Sequence, residues 1–225
     1  DTPAFTKDGK TVYFTRNNYL DGRGFDANKV TLLKIYKANL DDEGKWINIT
    51  PLNFNSDSYQ AAHPALSADE KTLYFASDRP GGLGKMDIWK SDFDANMRFS
   101  EPVNLGAVIN TFDDEMTPHM DTRHGSLYFS SYGHAGLGGM DIFKSKRENG
   151  TFSFPENIGK GYNTSQNDVY FTINNHDEKG TLTSNRTGSL FIASKTCCYD
   201  IYYHEPLKID TLVVAVSDTP KVDST

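Results

Sequence analysis

Apolar and polar residues alternate along this chain in short runs. Leu73, Phe75 and Ser77 fall on one side of such a run and Tyr74 and Ala76 on the other, and Ile88 opposes Asp87 and Trp89 in the next. A period of two places successive side chains on opposite faces of an extended strand. Gly, Pro, Asn and Asp separate the runs, as turn chemistry requires, and Asp8-Gly9 is a good tight-hairpin dipeptide. The pattern predicts strands joined by hairpins, and no helix.

The runs recur as one four-part phrase. Pro64-Ala65-Leu66-Ser67 is followed by Thr72-Leu73-Tyr74-Phe75-Ala76-Ser77, glycines 81, 82 and 84, Met86-Asp87-Ile88-Trp89-Lys90-Ser91, and Pro102-Val103-Asn104-Leu105 running to Ile109-Asn110-Thr111. The next copy reads Pro118-His119-Met120, Ser126-Leu127-Tyr128-Phe129-Ser130-Ser131, Gly136-Leu137-Gly138, Met140-Asp141-Ile142-Phe143-Lys144-Ser145, and Pro155-Glu156-Asn157-Ile158 to Tyr162-Asn163-Thr164. Phe75 and Phe129 are 54 residues apart, as are Ile88 and Ile142. That period belongs to architectures built from one supersecondary unit per repeat. Looser outer copies begin with Pro3-Ala4-Phe5-Thr6, Val12-Tyr13-Phe14 and Lys34-Ile35-Tyr36-Lys37, and close with Gly180-Thr181-Leu182-Thr183-Ser184-Asn185-Arg186 and Asp200-Ile201-Tyr202. The repeats therefore span about 1–57, 58–112, 113–165 and 166–206, and 207–225 reads as a last strand (Ile209 to Val216) and a linker.

Four strands per copy make a four-stranded antiparallel sheet, and several such sheets set radially make an all-β propeller. A β-sandwich would not need four near-identical sheets. The chain opens inside a repeat, so we expect four visible blades of a ring of five or more. The outer copies lengthen the turn between second and third strands, at Asn17–Thr31 and Thr187–Thr196. Insertions gathered at one position either build a binding surface or are tolerated loop slack; both readings stand.

Asp87, Asp141 and Asp200 recur at the start of the third strand. They can accept hydrogen bonds from backbone N–H groups of a neighbouring turn, or a ring of them can hold a cation, which needs six or more converging oxygens. Arg79 and Arg186 share one slot beside glycines. There an arginine can bond neighbouring carbonyls, pair with the recurrent aspartate, or anchor an anionic ligand. The glycines before Met86 and Met140 supply positive φ or close backbone approach. Cys197-Cys198 are adjacent; a vicinal disulfide would be strained, and the alternative is one buried and one exposed thiol. Trp89 and Tyr132 are candidates for stacking on sugars in a central funnel.

The remaining chemistry is sparse. A net charge of −7 and a pI near 5.3 argue against a nucleic-acid surface. No apolar run is long enough for a membrane span. No Gly-x-Ser-x-Gly elbow is present, and Gly81 to Met86 lacks the spacer and hydroxyl of a phosphate loop. The six histidines (His63, His119, His124, His134, His176, His204) show no ligand spacing and read as turn or surface residues. We expect no catalysis, no cofactor and no metal.

The phrases Leu73 to Gly82 with Asp87-Ile88-Trp89, and Glu101 to Gly106 with Ile109-Asn110-Thr111, resemble the TolB-like, WD-repeat-like propeller repeats of Bacteroidetes OmpA-family envelope proteins. The ending, Ser184-Asn185-Arg186-Thr187-Gly188 to Thr196-Cys197-Cys198-Tyr199-Asp200-Ile201-Tyr202, looks like the PorE-type component of the type IX secretion system. The resemblance covers residues 3 to about 204. It implies a periplasmic scaffold, associated with the outer membrane or cell wall, whose partners are other envelope or secretion-system proteins. Peptidoglycan would be reached only through an OmpA-like domain that this chain lacks. The alternative is a glycan- or peptide-binding propeller sensing wall fragments.

Overall fold

The computed structural model describes residues 3–17, 31–94, 98–174, 176–189 and 199–206. Everything regular in it is β. The first sheet runs β1 (Ala4–Phe5), β2 (Thr11–Asn17), β3 (Leu33–Leu40), β4 (Trp46–Pro51), and the second β5 (Ala61–Leu66), β6 (Thr72–Ser77), β7 (Asp87–Asp92), β8 (Val103–Asn104), each in sequence order. The third has β9 (Glu115–Asp121), β10 (Ser126–Ser131) and β11 (Asp141–Glu148). Two short strands, β12 (Thr151–Phe152) and β13 (Glu156–Asn157), then pair with different parts of β11. The last has β14 (Asp168–Ile173), β15 (Gly180–Ser184) and β16 (Asp200–His204) among the described residues. All pairings are antiparallel, and the four sheets are the blades of a propeller.

The alternation in the Tyr-Phe strands has a specific purpose. Leu73 and Phe75 face the first sheet, in a cluster with Tyr13, Ile35, Phe54, Trp89 and Phe99. Tyr74 and Ala76, on the other face, join Ile88, Ile109, Met120, Phe129 and Phe143 against the third sheet. Tyr128 and Ile142 then meet Phe171 and Leu182 of the last sheet. Both faces of an inner blade are thus interfaces, so apolar residues occupy both phases of the alternation. Burying each large side chain in this way stabilises by about 2–3 kcal/mol. Phe54 and Phe75 stack across the first interface at 4.6 Å and 6°.

An asparagine clasps the third strand in each of the first three blades, β3, β7 and β11. Asn110, 2 % exposed, accepts the Ile88 N–H at 2.7 Å through Oδ1 and donates through Nδ2 to the Ile88 carbonyl at 3.0 Å. Asn55 does the same for Ile35 and Asn163 for Ile142. The side-chain amide supplies the acceptor that the isoleucine N–H would otherwise lack, and it shares the isoleucine carbonyl with a backbone N–H from Leu52, Leu105 or Ile158.

Replacing Asn110 by Ala leaves the N–H of fully buried Ile88 without a partner, while the Ile88 carbonyl keeps the Leu105 N–H at 3.1 Å. We expect a loss of about 1–3 kcal/mol in urea unfolding, the cost of one orphaned buried group. A loss under about 1 kcal/mol would show that water replaces the amide.

Candidate functional site

The recurrent aspartates sit inside their own blades. Asp87 is buried; its Oδ1 accepts the Gly84 N–H at 3.1 Å, and its Oδ2 accepts the Leu83 N–H and the Asn104 amide. Asp141, also buried, takes Leu137 N–H, Gly138 N–H and the Asn157 amide on Oδ2. Glycine is required alongside: a Cβ on Gly82 would lie 2.3 Å from the Asp87 carboxylate, and one on Gly84 would lie 2.3 Å from the Asp113 carbonyl. None of Gly82, Gly84, Gly136 and Gly138 has positive φ, so close approach is what these positions need. Asp200 opens β16 opposite Ser184. Among the described residues, no three His, Cys, Asp or Glu side chains converge as metal ligands.

Arg79 and Arg186 bond carbonyls of the preceding blade and do not pair with the recurrent aspartate. Arg79 reaches the Phe54 carbonyl at 3.5 Å, and Arg186 reaches that of Tyr162 at 2.7 Å. These carbonyls immediately precede the clasping asparagines. Arg79 lies among the rings of Phe54, Tyr59, Phe75 and Trp89, all within 5.4 Å of its guanidinium carbon. Burial pushes its pKa down, and the aromatic faces offset part of that cost. Arg186 also pairs with buried Asp168 at 2.8 Å. The third blade has Gly133 in this slot, because a Cβ there would strike Thr111. His134 takes over the task, its Nε2 lying 2.9 Å from the Ile109 carbonyl. Sequence reasoning found the two arginines and missed His134, whose only signal was its place one residue after the slot.

The axis was invisible to the sequence. His63, Thr117 and Tyr170 occupy one slot in three successive inner strands, each at a bulge and each with positive φ (57°, 52° and 54°). Such a conformation costs a non-glycine residue about 1–2 kcal/mol, most of all a β-branched one. Hydrogen bonds across the axis hold it. The His63 N–H donates to Thr15 Oγ1 at 2.9 Å, the Thr117 N–H to His63 Nδ1 at 3.4 Å, and the Tyr170 N–H to Thr117 Oγ1 at 3.3 Å. Because His63 Nδ1 accepts, the neutral ring carries its proton on Nε2, which lies 3.1 Å from the Tyr170 hydroxyl. His63 is therefore buried, not a surface residue; the sequence offered only the proline that follows it. All four blades are tied together here.

Beside this cluster a cavity of about 290 Å³ opens along the axis, lined by Pro3, Phe5, Pro64, Leu66, Pro118 and Met120, with Lys7, Glu70 and His119. Trp89 takes no part in a funnel: it packs between the first two blades, its indole N–H on the Ser77 carbonyl at 3.2 Å. Tyr132 is 44 % exposed, on the face of the second-to-third turns. The cysteine pair Cys197-Cys198, most of both long turns (18–30 and 190–198) and the segment 207–225 lie outside the described residues.

Burial pushes the His63 pKa down from 6.5 to about 4. Between those values the unfolded chain binds a proton that the folded chain refuses. The stabilisation is complete above about 6.5 and declines as pH falls toward about 4. A shift of this size is worth at most about 3 kcal/mol. His63→Gln keeps an acceptor for Thr117 and a donor for Tyr170, so we expect its stability to fall less steeply than wild type between pH 6.5 and 4. Parallel urea-unfolding curves would contradict the assignment.

No protein-family model matches the chain, and no curated protein matches it. Solved structures do. TolB from Acinetobacter baumannii superposes with a TM-score of 0.52 and 17% identity over 91% of this chain and 40% of that one. An alpha-L-arabinofuranosidase from Lactobacillus brevis superposes with a TM-score of 0.60 and 15% identity over 90% of this chain and 71% of that one. The chain thus spans 40% of the length of the TolB chain. Identities this low speak for fold alone, and the fold they speak for is the TolB-like β-propeller.

Proposed function

We propose that this chain is a non-catalytic docking module, the scaffolding part of a periplasmic, envelope-associated protein whose partners are other envelope or secretion-system proteins. Peptidoglycan contact would come only through a neighbouring OmpA-like domain. The compartment and partners rest on the resemblance of the repeat phrases to envelope propellers. One observation carries the docking role. Phe112 is 90 % exposed, in a slot where the neighbouring copies have Asp57 and Ser165, so blade packing does not require an aromatic there. Its loop is held rigidly: Thr111 bonds Glu115 through both its N–H and its hydroxyl, at 2.7 Å each, and Gly84 and Gly133 press on either side. Leu83, Tyr132 and Leu137, each 44 % exposed, belong to the second-to-third turns of the same two blades. A large apolar side chain presented on a fixed loop has the character of an interface anchor.

The test is pull-down of envelope proteins with quantitative mass spectrometry. Phe112→Asp should reduce capture about 30-fold, the effect of an anchor worth about 2 kcal/mol, and leave the melting temperature unchanged. Undiminished capture by the variant would end the reading.

The axial cavity favours a second reading, a peptide- or glycan-binding propeller. Its proline and methionine lining suits an extended peptide better than a sugar, since Trp89 and Tyr132 do not line it. Calorimetric titration with short peptides and muropeptides should give heat with the former if this reading holds; silence with both would discard it.

A further inference from the structure

Two exposed tyrosines on the face of the second-to-third turns answer to no need of the repeat. Tyr132 precedes the arginine slot of its blade, where the neighbouring copies have Asp78 and Asn185. Tyr199 ends the second-to-third turn of the last blade, where the earlier copies have Met86 and Met140 before the recurrent aspartate. The two are 44 % and 45 % exposed. One side chain, Asn167, joins them: its Oδ1 accepts the Tyr132 hydroxyl at 3.0 Å, and its Nδ2 donates to the Tyr199 oxygen at 3.0 Å. Gly139 makes room for this bridge, since a Cβ there would lie 2.1 Å from Asn167 Oδ1 and 3.4 Å from the Tyr132 ring. The previous copy has Lys85 in that slot and no bridge.

The backbone fixes where the protons of the bridge lie. Asn167 Oδ1 also accepts the Met140 N–H at 2.9 Å, so the amide cannot be turned over. Its nitrogen has only protons to offer, so the Tyr199 oxygen accepts and keeps its own proton to donate elsewhere. Tyr132 uses its proton on Oδ1 and keeps a lone pair. Neither hydroxyl makes a second hydrogen bond among the described residues. The bridge therefore holds one donor and one acceptor, side by side and half-exposed. It adjoins the Phe112 loop: the Tyr132 N–H bonds the Asp114 carbonyl at 3.0 Å, two residues past Phe112, and exposed Leu137 tops the turn that carries Gly139.

We propose that this strip recognises an extended polypeptide segment of the partner. A backbone carbonyl of the segment takes the Tyr199 proton, a backbone N–H donates to the Tyr132 oxygen, and an apolar side chain beside them packs on Phe112 and Leu137. An extended chain carries free N–H and C=O groups between its side chains, whereas a helix has already paired most of its own. A sugar could meet the two hydroxyls but brings no apolar side chain for Phe112. Lys85 and Asp113, the charged pair beside the loop, meet each other at 2.8 Å, so the strip calls for no charge on what it binds. The inference rests on the docking role of Phe112 and specifies what docks.

Short peptides selected from a random displayed library against the protein test this. Those that Phe112→Asp weakens are remade with single backbone amides N-methylated. One methylation should weaken binding to wild type about tenfold, the loss of one backbone donor. In Tyr132→Phe, which keeps the ring and lacks the acceptor, the methylated and unmethylated peptides should bind alike. Tyr199→Phe should weaken the unmethylated peptide about fivefold. Both variants should melt with wild type. Phe112-dependent binding that survives every methylation and both Tyr→Phe changes would overturn the backbone recognition and leave the docking role standing. Failure to select any Phe112-dependent peptide would overturn it as well, with the docking role then decided by the pull-down. Binding of a muropeptide or an oligosaccharide that Tyr132→Phe abolishes would assign the strip to a glycan and equally end the proposal.

Discussion

A sheet that is apolar on both faces has to be covered on both. Everything else in this protein follows from that constraint. A small antiparallel sheet with Leu73 and Phe75 on one side and Tyr74 and Ile88 on the other is unstable alone, because water would meet one large apolar face or the other. Setting such sheets side by side removes the problem for every blade with two neighbours. The core is therefore a series of interfaces, each filled by aromatic and branched side chains from both sides.

Packing of this kind is not directional, and apolar faces can slide. The buried polar groups supply the direction. The asparagine clasp fixes the path of the chain after β3, β7 and β11. The arginine or histidine of the next blade then bonds the carbonyl beside that asparagine. One element is thus held twice, from inside its own blade and from the next. The aspartate at the start of the third strand holds the turn that carries the arginine slot. Removing one member leaves a buried donor or acceptor unpaired, which costs more than the bond contributes when made.

At the axis the economy differs. Three non-glycine residues with positive φ are tolerated because the bulge turns their side chains toward one another, and His63, Thr117 and Tyr170 bond across the centre. Backbone strain is offset by hydrogen bonds that only the assembled blades can offer. The neutral state of His63 is part of that arrangement, since its Nδ1 accepts from a backbone N–H and can do so only when unprotonated.

Local pattern determined the elements: alternation set the strands, the turn residues set the hairpins, and the 54-residue recurrence from Phe75 to Phe129 set the number of blades. These are short-range properties, so a sequence displays them directly. The partners of Arg79 and Arg186 were another matter. Their slot was legible, but whether they met the recurrent aspartate or a carbonyl of the preceding blade depended on how two blades are oriented. Trp89 and His63 went the same way: one looked like a sugar platform and became core, the other looked like a surface residue and became the axis. Only the tertiary structure decided these, because contacts between repeats join residues from 24 to 107 positions apart, and no local rule of spacing encodes the angle at which one sheet meets the next.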